Sequence, residues 1–531
     1  MSTLETLDKL THAFPQRERE EIGRAFGIPY TALRYQKTGS LEGLEFLYPF
    51  LNDSDKNVRR SALRAVGRIF HGTGADSIEK LHYLTGNRDL AIRDRSSVIV
   101  GLALAGEPAD VILDVLRPTF THRNAFIRGH GCVALGYAGR GKAYEELLPV
   151  FEERMSDGDG FVRTCAIDGL AEAFAGSGHD RALDLLGPFA PFPAFDIREG
   201  ESRRQWHFRW RQQVGMHTDA AAAVARIAFR SAAEARALDL LREYLRPRNV
   251  PPKMGFEEQL AQRQGVHAVS WLLRGKPVEA VREMGFLLKR PTSAEPVWTR
   301  RVPRSAAIFM LPGTFAGSGA DGIELATRLL DTDEHPTLRC AILSLGVAAT
   351  GTCDENVLSA LQPHLSHRNG AVRDVANIAV GLAFKGSASK PVFRLLRETN
   401  VKDRRGVSTN YPLAVGLVCQ GTGNGEAAAD LAELFTLNRR RLTWYAALGI
   451  GLVYQGTSHP KPVELLLPLF ETHLLPHACH ALLMVDFDEA QLGALTRSHG
   501  LADGPGAAET FVEKHFIDAP PEHYDPWAGW L

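Results

Sequence analysis

The most chemically loaded stretch of this 531-residue chain is Arg203-Arg204-Gln205-Trp206-His207-Phe208-Arg209-Trp210-Arg211. Arginine beside aromatic rings suits anchoring of a protein partner, where Trp and Arg dominate binding energy. It also suits a single nucleic-acid strand, whose bases stack on the rings while guanidinium meets phosphate. A third reading is structural: the rings fold onto the protein's own body and leave arginine in water. Arg204, Trp206, His207, Trp210 and Arg211 are the binding candidates here. Trp527 and Trp530 join them from a Gly-, Pro- and acid-rich tail, residues 502–531, that also carries Phe511, Phe516 and Tyr524. Disordered tails are ordinarily poor in aromatics, so this one is expected to dock, on the basic middle of the chain or on a second copy.

Other constellations are weaker. Gly317-Ser-Gly319-Ala-Asp-Gly322 has the spacing of a dinucleotide-phosphate loop, but no strand precedes it, and similar runs at Gly72-Thr-Gly74 and Gly421-Thr-Gly423 read as turns between helices. His122-Arg123-Asn124 and His367-Arg368-Asn369 recur in equivalent places, which favours a turn and helix cap over catalysis. His473, His477 and His480 approach metal-ligand spacing, but Pro476 breaks the helix that would align them. The chain holds no HExxH, GxSxG or Walker lysine loop. No catalytic residue, metal ligand or cofactor is assigned.

The elements that must position these residues are set by a repeat. Gly101-Leu-Ala-Leu-Ala-Gly106 returns as Gly346 to Gly351, Gly381 to Gly386, Gly416 to Gly421 and Gly451 to Gly456, the last four copies each 35 residues apart. That period is one helix, a glycine turn and a second helix. An apolar residue followed by arginine marks the start of the first, amphipathic helix, at Arg59, Arg93, Arg128, Arg163, Arg339 and Arg373, with Asn57, Asn124 and Asn369 as caps. These arginines are expected to tie neighbouring repeats together through acidic or carbonyl partners. Glycine within a helix costs about 0.5–1 kcal/mol relative to alanine, so its recurrence at one register predicts close approach of a neighbouring helix and strongly curved, tightly stacked hairpins.

The stretch from Trp444 to Gly456, followed by the helix ending Leu465-Leu-Leu-Pro-Leu-Phe470, resembles the proteasome/cyclosome (PC) repeat, a glycine-rich relative of the HEAT repeat. Gly101 to Gly106 and Gly381 to Gly386 are similar to it, while Asn57 to Gly67 and Gly160 to Phe174 resemble ordinary HEAT units. The resemblance implies an all-α solenoid of HEAT/PC-like hairpins, about ten to twelve of them, as a curved arc or closed toroid. It also implies a scaffold or adaptor within a multiprotein assembly. Some HEAT-like proteins are enzymes, bilin lyases and alkylbase DNA glycosylases among them, so a lyase-type enzyme stands third behind a nucleic-acid-binding protein.

The expected organisation is an N-terminal helical cap over 1–40, HEAT/PC repeats over 41–192, divergent basic repeats with loop insertions over 193–304, PC-like repeats over 305–495 and an acidic aromatic tail over 496–531. Net charge is −1, but the segment from Asp196 to Arg304 carries 21 Lys or Arg against 12 Asp or Glu. Two stretches within it, Asp196 to Thr218 and Arg246 to Phe256, read as loops or ordered insertions, and Gly265 to Leu288 as a hairpin turning at Gly275-Lys276-Pro277. Six cysteines without CxxC spacing read as small core residues in a reducing compartment. Met1 to Glu20 lacks a signal-peptide segment and no apolar run spans a bilayer, so the expected setting is cytoplasmic and away from membranes. Protein partners, with self-association through the tail, are expected ahead of nucleic acid.

Overall fold

A computed structural model describes residues 35–81, 90–189, 203–245, 255–288, 310–401, 407–437, 439–457 and 461–466, with a few isolated positions beside them. These residues form two compact bodies, one built on Tyr35–Arg274 and one from Leu311 onward. Both are all-helical stacks, and the chain is an α-solenoid. In the first body the helices are α1 (Leu41–Leu51), α2 (Lys56–Phe70), α3 (Leu90–Ala103), α4 (Ala109–Phe120), α5 (Ala125–Ala138), α6 (Leu148–Met155), α7 (Gly160–Ala173), α8 (Asp180–Leu186), α9 (Arg203–Ala228), α10 (Glu234–Leu245) and α11 (Gly255–Leu272). After α12 (Pro277–Leu288), the second body holds α13 (Gly319–Leu329), α14 (His335–Ala348), α15 (Glu355–Leu365), α16 (Gly370–Ala383), α17 (Lys390–Val401), α18 (Tyr411–Val418), α19 (Gly425–Glu433), α20 (Arg440–Val453) and α21 (Lys461–Leu466).

The glycine-bearing first helix of each hairpin packs on the first helix of the next, α2 through α3, α5, α7 and α9 to α11, and α14 through α16 and α18 to α20. The recurrent glycines sit where these helices meet. A methyl group on Gly101 would lie 2.3 Å from the Ala134 carbonyl oxygen and 2.5 Å from the Ala134 Cα. One on Gly346 would lie 2.4 Å from the Ala379 Cα, and one on Gly416 would lie 2.8 Å from the Gly449 Cα. Backbone fills the space where a side chain would stand, as the register of small residues predicts.

Two of the first helices, α5 and α7, are not amphipathic, contrary to the sequence reading. Every residue from Gly129 to Ala138 of α5 is buried, as is every residue from Cys165 to Ala173 of α7. A first helix has a neighbour on each side and its own partner behind, so no face is left for water. The second helices carry the one-sided pattern: α4 buries Ala109, Ile112, Leu116 and Phe120.

The trailing glycines make the joints. Gly72, Gly106, Gly351, Gly386 and Gly421 have φ between 67° and 97°, the left-handed region that favours glycine. In this conformation two alternate N–H groups of a turn point at the C-terminal carbonyls of the next first helix. Gly72 and Gly74 donate to Leu102 and Ala103 at 2.8 and 2.9 Å, Gly351 and Cys353 to Leu382 and Ala383 at 2.9 and 3.0 Å, and Gly421 and Gly423 to Leu452 and Val453 at 3.0 and 2.9 Å. Helix ends otherwise leave carbonyls unpaired, so each turn completes its neighbour. The Gly-x-Gly runs are thus repeat joints; Gly317 and Gly319 share the left-handed geometry.

The repeat arginines fasten the other end of the hairpin. Arg128 donates to the carbonyls of His122 and Arg123 at 2.9 and 3.2 Å and forms a two-pronged pair with Asp157 at the next junction, both contacts 2.9 Å. Arg59 and Arg373 grip the equivalent carbonyls, Asp53 with Ser54 and His367 with Arg368. Asn124 and Asn369 cap their helices as expected, accepting from Phe126 and Ala371 N–H at 2.9 Å each. Asn57 instead lies inside α2, as its second residue. Cys132, Cys165, Cys340 and Cys419 are buried, whereas Cys353 is exposed on a joint. No described helix is long and apolar enough to cross a membrane.

Candidate functional site

Of the stretch Asp196 to Thr218, read from the sequence as a loop or ordered insertion, residues 203–218 belong to α9, a 26-residue helix. The run contains no glycine or proline before Gly215, and Arg, Gln and Ala are good helix formers, so intrinsic propensity prevails over the break in the repeat pattern. Of the other expected insertion, residues 246–254 lie outside the described residues. The expected turn at Gly275 to Pro277 does separate two helices, α11 and α12.

The C-terminal half of α9 is an ordinary first helix. Gly176 and Gly178 donate to the carbonyls of Arg226 and Ile227 at 2.8 Å each, just as Gly351 and Cys353 do to Leu382 and Ala383. With Ile227 opposite Ala383, the start of α16 at Gly370 falls opposite Val214. Residues 203–213 therefore prolong α9 beyond the ordinary first-helix length by about 16 Å at 1.5 Å per residue. The extension holds five of the seven binding candidates: Arg204, Trp206, His207, Trp210 and Arg211. Trp206 and Trp210 are about one helical turn apart along α9. Trp527 and Trp530 lie outside the described residues, as does the His473, His477 and His480 group.

A polar seam that the sequence reading missed anchors the base of the extension. On α7, Thr164, Asp168 and Glu172 are four residues apart and so share a face. Glu172 pairs with Arg226 of α9 and, at 3.3 Å, with Arg140. Thr164 hydrogen-bonds Asp219, whose burial pushes its carboxyl up to about 8 against the lowering effect of that bond. Arg163 donates to the Met216 sulfur at 3.3 Å, and the Tyr244 hydroxyl to the His217 carbonyl at 2.7 Å. The available signal was two carboxylates and a hydroxyl at one helical register in an otherwise apolar helix. A buried charge pair is costly to break, so the seam fixes α9 against α7 and gives the extension a firm base.

Among the described residues no cluster of three or more His, Cys, Asp or Glu could hold a metal ion.

No family model matches the chain. The 26S proteasome regulatory subunit RPN2 of Encephalitozoon cuniculi (strain GB-M1) is 27% identical over 115 residues, 22% of this chain and 15% of that protein. Among solved structures, Kap121p aligns over 93% of this chain and 54% of its own at 11% identity and TM-score 0.35. An engineered protein aligns over 82% of this chain and 97% of its own at 14% identity and TM-score 0.22. The chain thus spans a small fraction of the RPN2 relative and about half of Kap121p. It is an α-helical repeat protein.

Proposed function

We propose that this solenoid is a non-catalytic protein-binding scaffold, an adaptor subunit of a multiprotein assembly in the cytoplasm, and that its repeats are of the PC type. The observation that carries the reading is the α9 extension: a first helix prolonged by three turns whose sequence holds Arg204, Trp206, His207, Trp210 and Arg211. Trp and Arg supply most of the energy at protein interfaces. The limited similarity to RPN2, a proteasome regulatory subunit, supports the PC assignment and the placement in an assembly. In this reading the five-part organisation of the sequence stands, with residues 1–40 as cap and 496–531 as a tail whose Trp527 and Trp530 add a second contact or hold a second copy.

The test is quantitative affinity capture with the wild-type chain and with a Trp206→Ala, Trp210→Ala, Arg211→Ala variant. The expected result is loss of a discrete set of stoichiometric partners with unchanged thermal stability. An identical captured set from both proteins would refute the surface assignment.

The basic composition of the extension favours one second reading, binding of single-stranded nucleic acid. Oligonucleotide affinity that falls steeply with salt and depends on Arg204 and Arg211 would support that reading over the first.

A further inference from the structure

The first body contains a cavity of about 530 Å³, and we propose that it binds a small amphipathic carboxylate, an alkyl or aryl acid, independently of the α9 surface. Two short 3-10 turns, Ala75–Ser77 and Glu79–Leu81, follow α2. Ile78, between them, forms one wall, and Val100, Val115, Leu116 and Ile127 supply the rest of an apolar lining. The volume falls within the range of about 300–1,000 Å³ common to small-molecule sites, which pair apolar walls with a few fixed polar groups.

The polar groups of this site are donors. Ser97 lines the cavity, is 7% exposed, and its hydroxyl has no hydrogen-bond partner. A buried hydroxyl left unpaired costs about 1–3 kcal/mol, which a ligand oxygen would recover. His122 accepts the Asn124 N–H on Nδ1 at 3.0 Å, so its neutral ring carries the proton on Nε2 and offers it as a donor. The Asn124 Oδ1 is occupied by the Phe126 N–H at 2.9 Å, leaving its amide NH₂ to donate. Arg123 is exposed at the same rim. Thr119 spends its proton on the Leu116 carbonyl at 2.6 Å. No Asp or Glu is among the described lining residues. Four donors, one of them cationic, above an apolar pocket select an anionic head on an apolar body.

The equivalent junction in the second body is built differently. His367 accepts the Asn369 N–H in the same way, at 3.0 Å, but its ring packs edge-on against His335 with centroids 5.2 Å apart. The histidine turn is therefore a shared structural device, and the cavity beside His122 is what makes that copy a site.

The test is isothermal titration of the full chain with sodium decanoate, with 1-decanol as neutral control and decyltrimethylammonium as cationic control. Saturable one-site binding of decanoate is expected, with the two controls at least about tenfold weaker. Arg123→Ala, an exposed change that leaves the fold intact, weakens decanoate about tenfold, Ser97→Ala weakens it severalfold, and Val115→Trp, which fills the cavity, abolishes it. N-acetylphenylalanylleucine, compared with its amide, distinguishes a chain terminus from a free acid as the source of the carboxylate. Absence of saturable decanoate binding up to about 1 mM overturns the proposal. So does binding that is equal for decanol, or binding untouched by Arg123→Ala and Ser97→Ala. Those two variants decide the matter should Val115→Trp fail to fold.

Discussion

Replacing Gly101 by alanine tests whether the repeat glycines are there for helix contact. On propensity alone the change should stabilise α3 by up to about 1 kcal/mol, because alanine is the better helix former. Packing opposes this. The new methyl would sit 2.3, 2.5 and 2.6 Å from the O, Cα and C of Ala134, all of them backbone atoms of α5 that cannot rotate away. Restoring an ordinary contact of about 3.4 Å requires α3 and α5 to part by about 1 Å. Overpacking of this kind costs typically 1–3 kcal/mol, and here backbone is the obstacle, so the upper end applies. The net is a loss of about 1–2 kcal/mol, which for a body of this size lowers Tm by roughly 3–8 °C. Gly285→Ala in α12 is the internal control, since its methyl would meet only the Val281 Cγ1 at 3.5 Å and should be neutral or stabilising. Differential scanning calorimetry of both variants decides the matter. If Gly101→Ala melts at or above the wild-type temperature, close backbone contact is not what the glycine is for.

Three further outcomes follow from the geometry. The Asp219 carboxyl, held protonated by burial to about 8, binds more protons folded than unfolded, so stability falls as pH rises from about 4 to 8, by at most roughly 1.4 kcal/mol per unit; Asp219→Asn should flatten this slope, and parallel Tm profiles from pH 5 to 8 would contradict the assignment. Arg128→Met removes the pair with Asp157 and the grip on two carbonyls, at a cost of about 3 kcal/mol by urea unfolding at pH 7. The Arg128 hydrogen bond lowers the Asp157 pKa, so this contribution is present above the usual carboxylate range and is lost as pH falls through the depressed value, making the variant and wild type converge in acid. Burial pushes the Cys132 and Cys340 thiols up to about 12, so brief iodoacetamide treatment at pH 8 should label Cys353 and spare those two, as read by peptide mass mapping; equal labelling would show that the hairpins open readily.

The glycine register was legible because steric exclusion acts on residue type directly: only glycine fits where Gly101, Gly346 and Gly381 meet a neighbour's backbone. Arg128, Asn124 and Asn369 were legible because capping demands particular donors and acceptors at fixed offsets. The all-round burial of α5 and α7 was not, since the sequence of one helix does not announce how many neighbours surround it. The extension of α9 was hidden for a related reason. Its Arg and Trp residues interrupt the apolar pattern that marks repeats, although the backbone continues helically through them. The Thr164, Asp168 and Glu172 register could have been noticed, but its counterparts Asp219 and Arg226 lie some fifty residues away and come opposite only through folding. The cavity beside Ser97 is lined from Ile78, α3, α4 and α5 together, and no motif marks such a meeting.

The left-handed joints have a consequence for how such a chain can change length. The turns at Gly72, Gly351, Gly386 and Gly421 each donate forward to the end of the next first helix, so the contact between these hairpins is head-to-tail and has the same form at each. Excising or duplicating one 35-residue unit in register brings a donor turn back against an acceptor helix of the same kind, and the seam heals. The spacing between turn and helix end is not itself fixed, since Gly176 reaches Arg226 (226 − 176 = 50) with the same bond that Gly351 makes to Leu382 (382 − 351 = 31). The hydrogen-bond polarity of the joint thus works as a reading frame for the fold, set by the turn and the helix end it meets, and extra chain between the two, as in α9, leaves the frame intact.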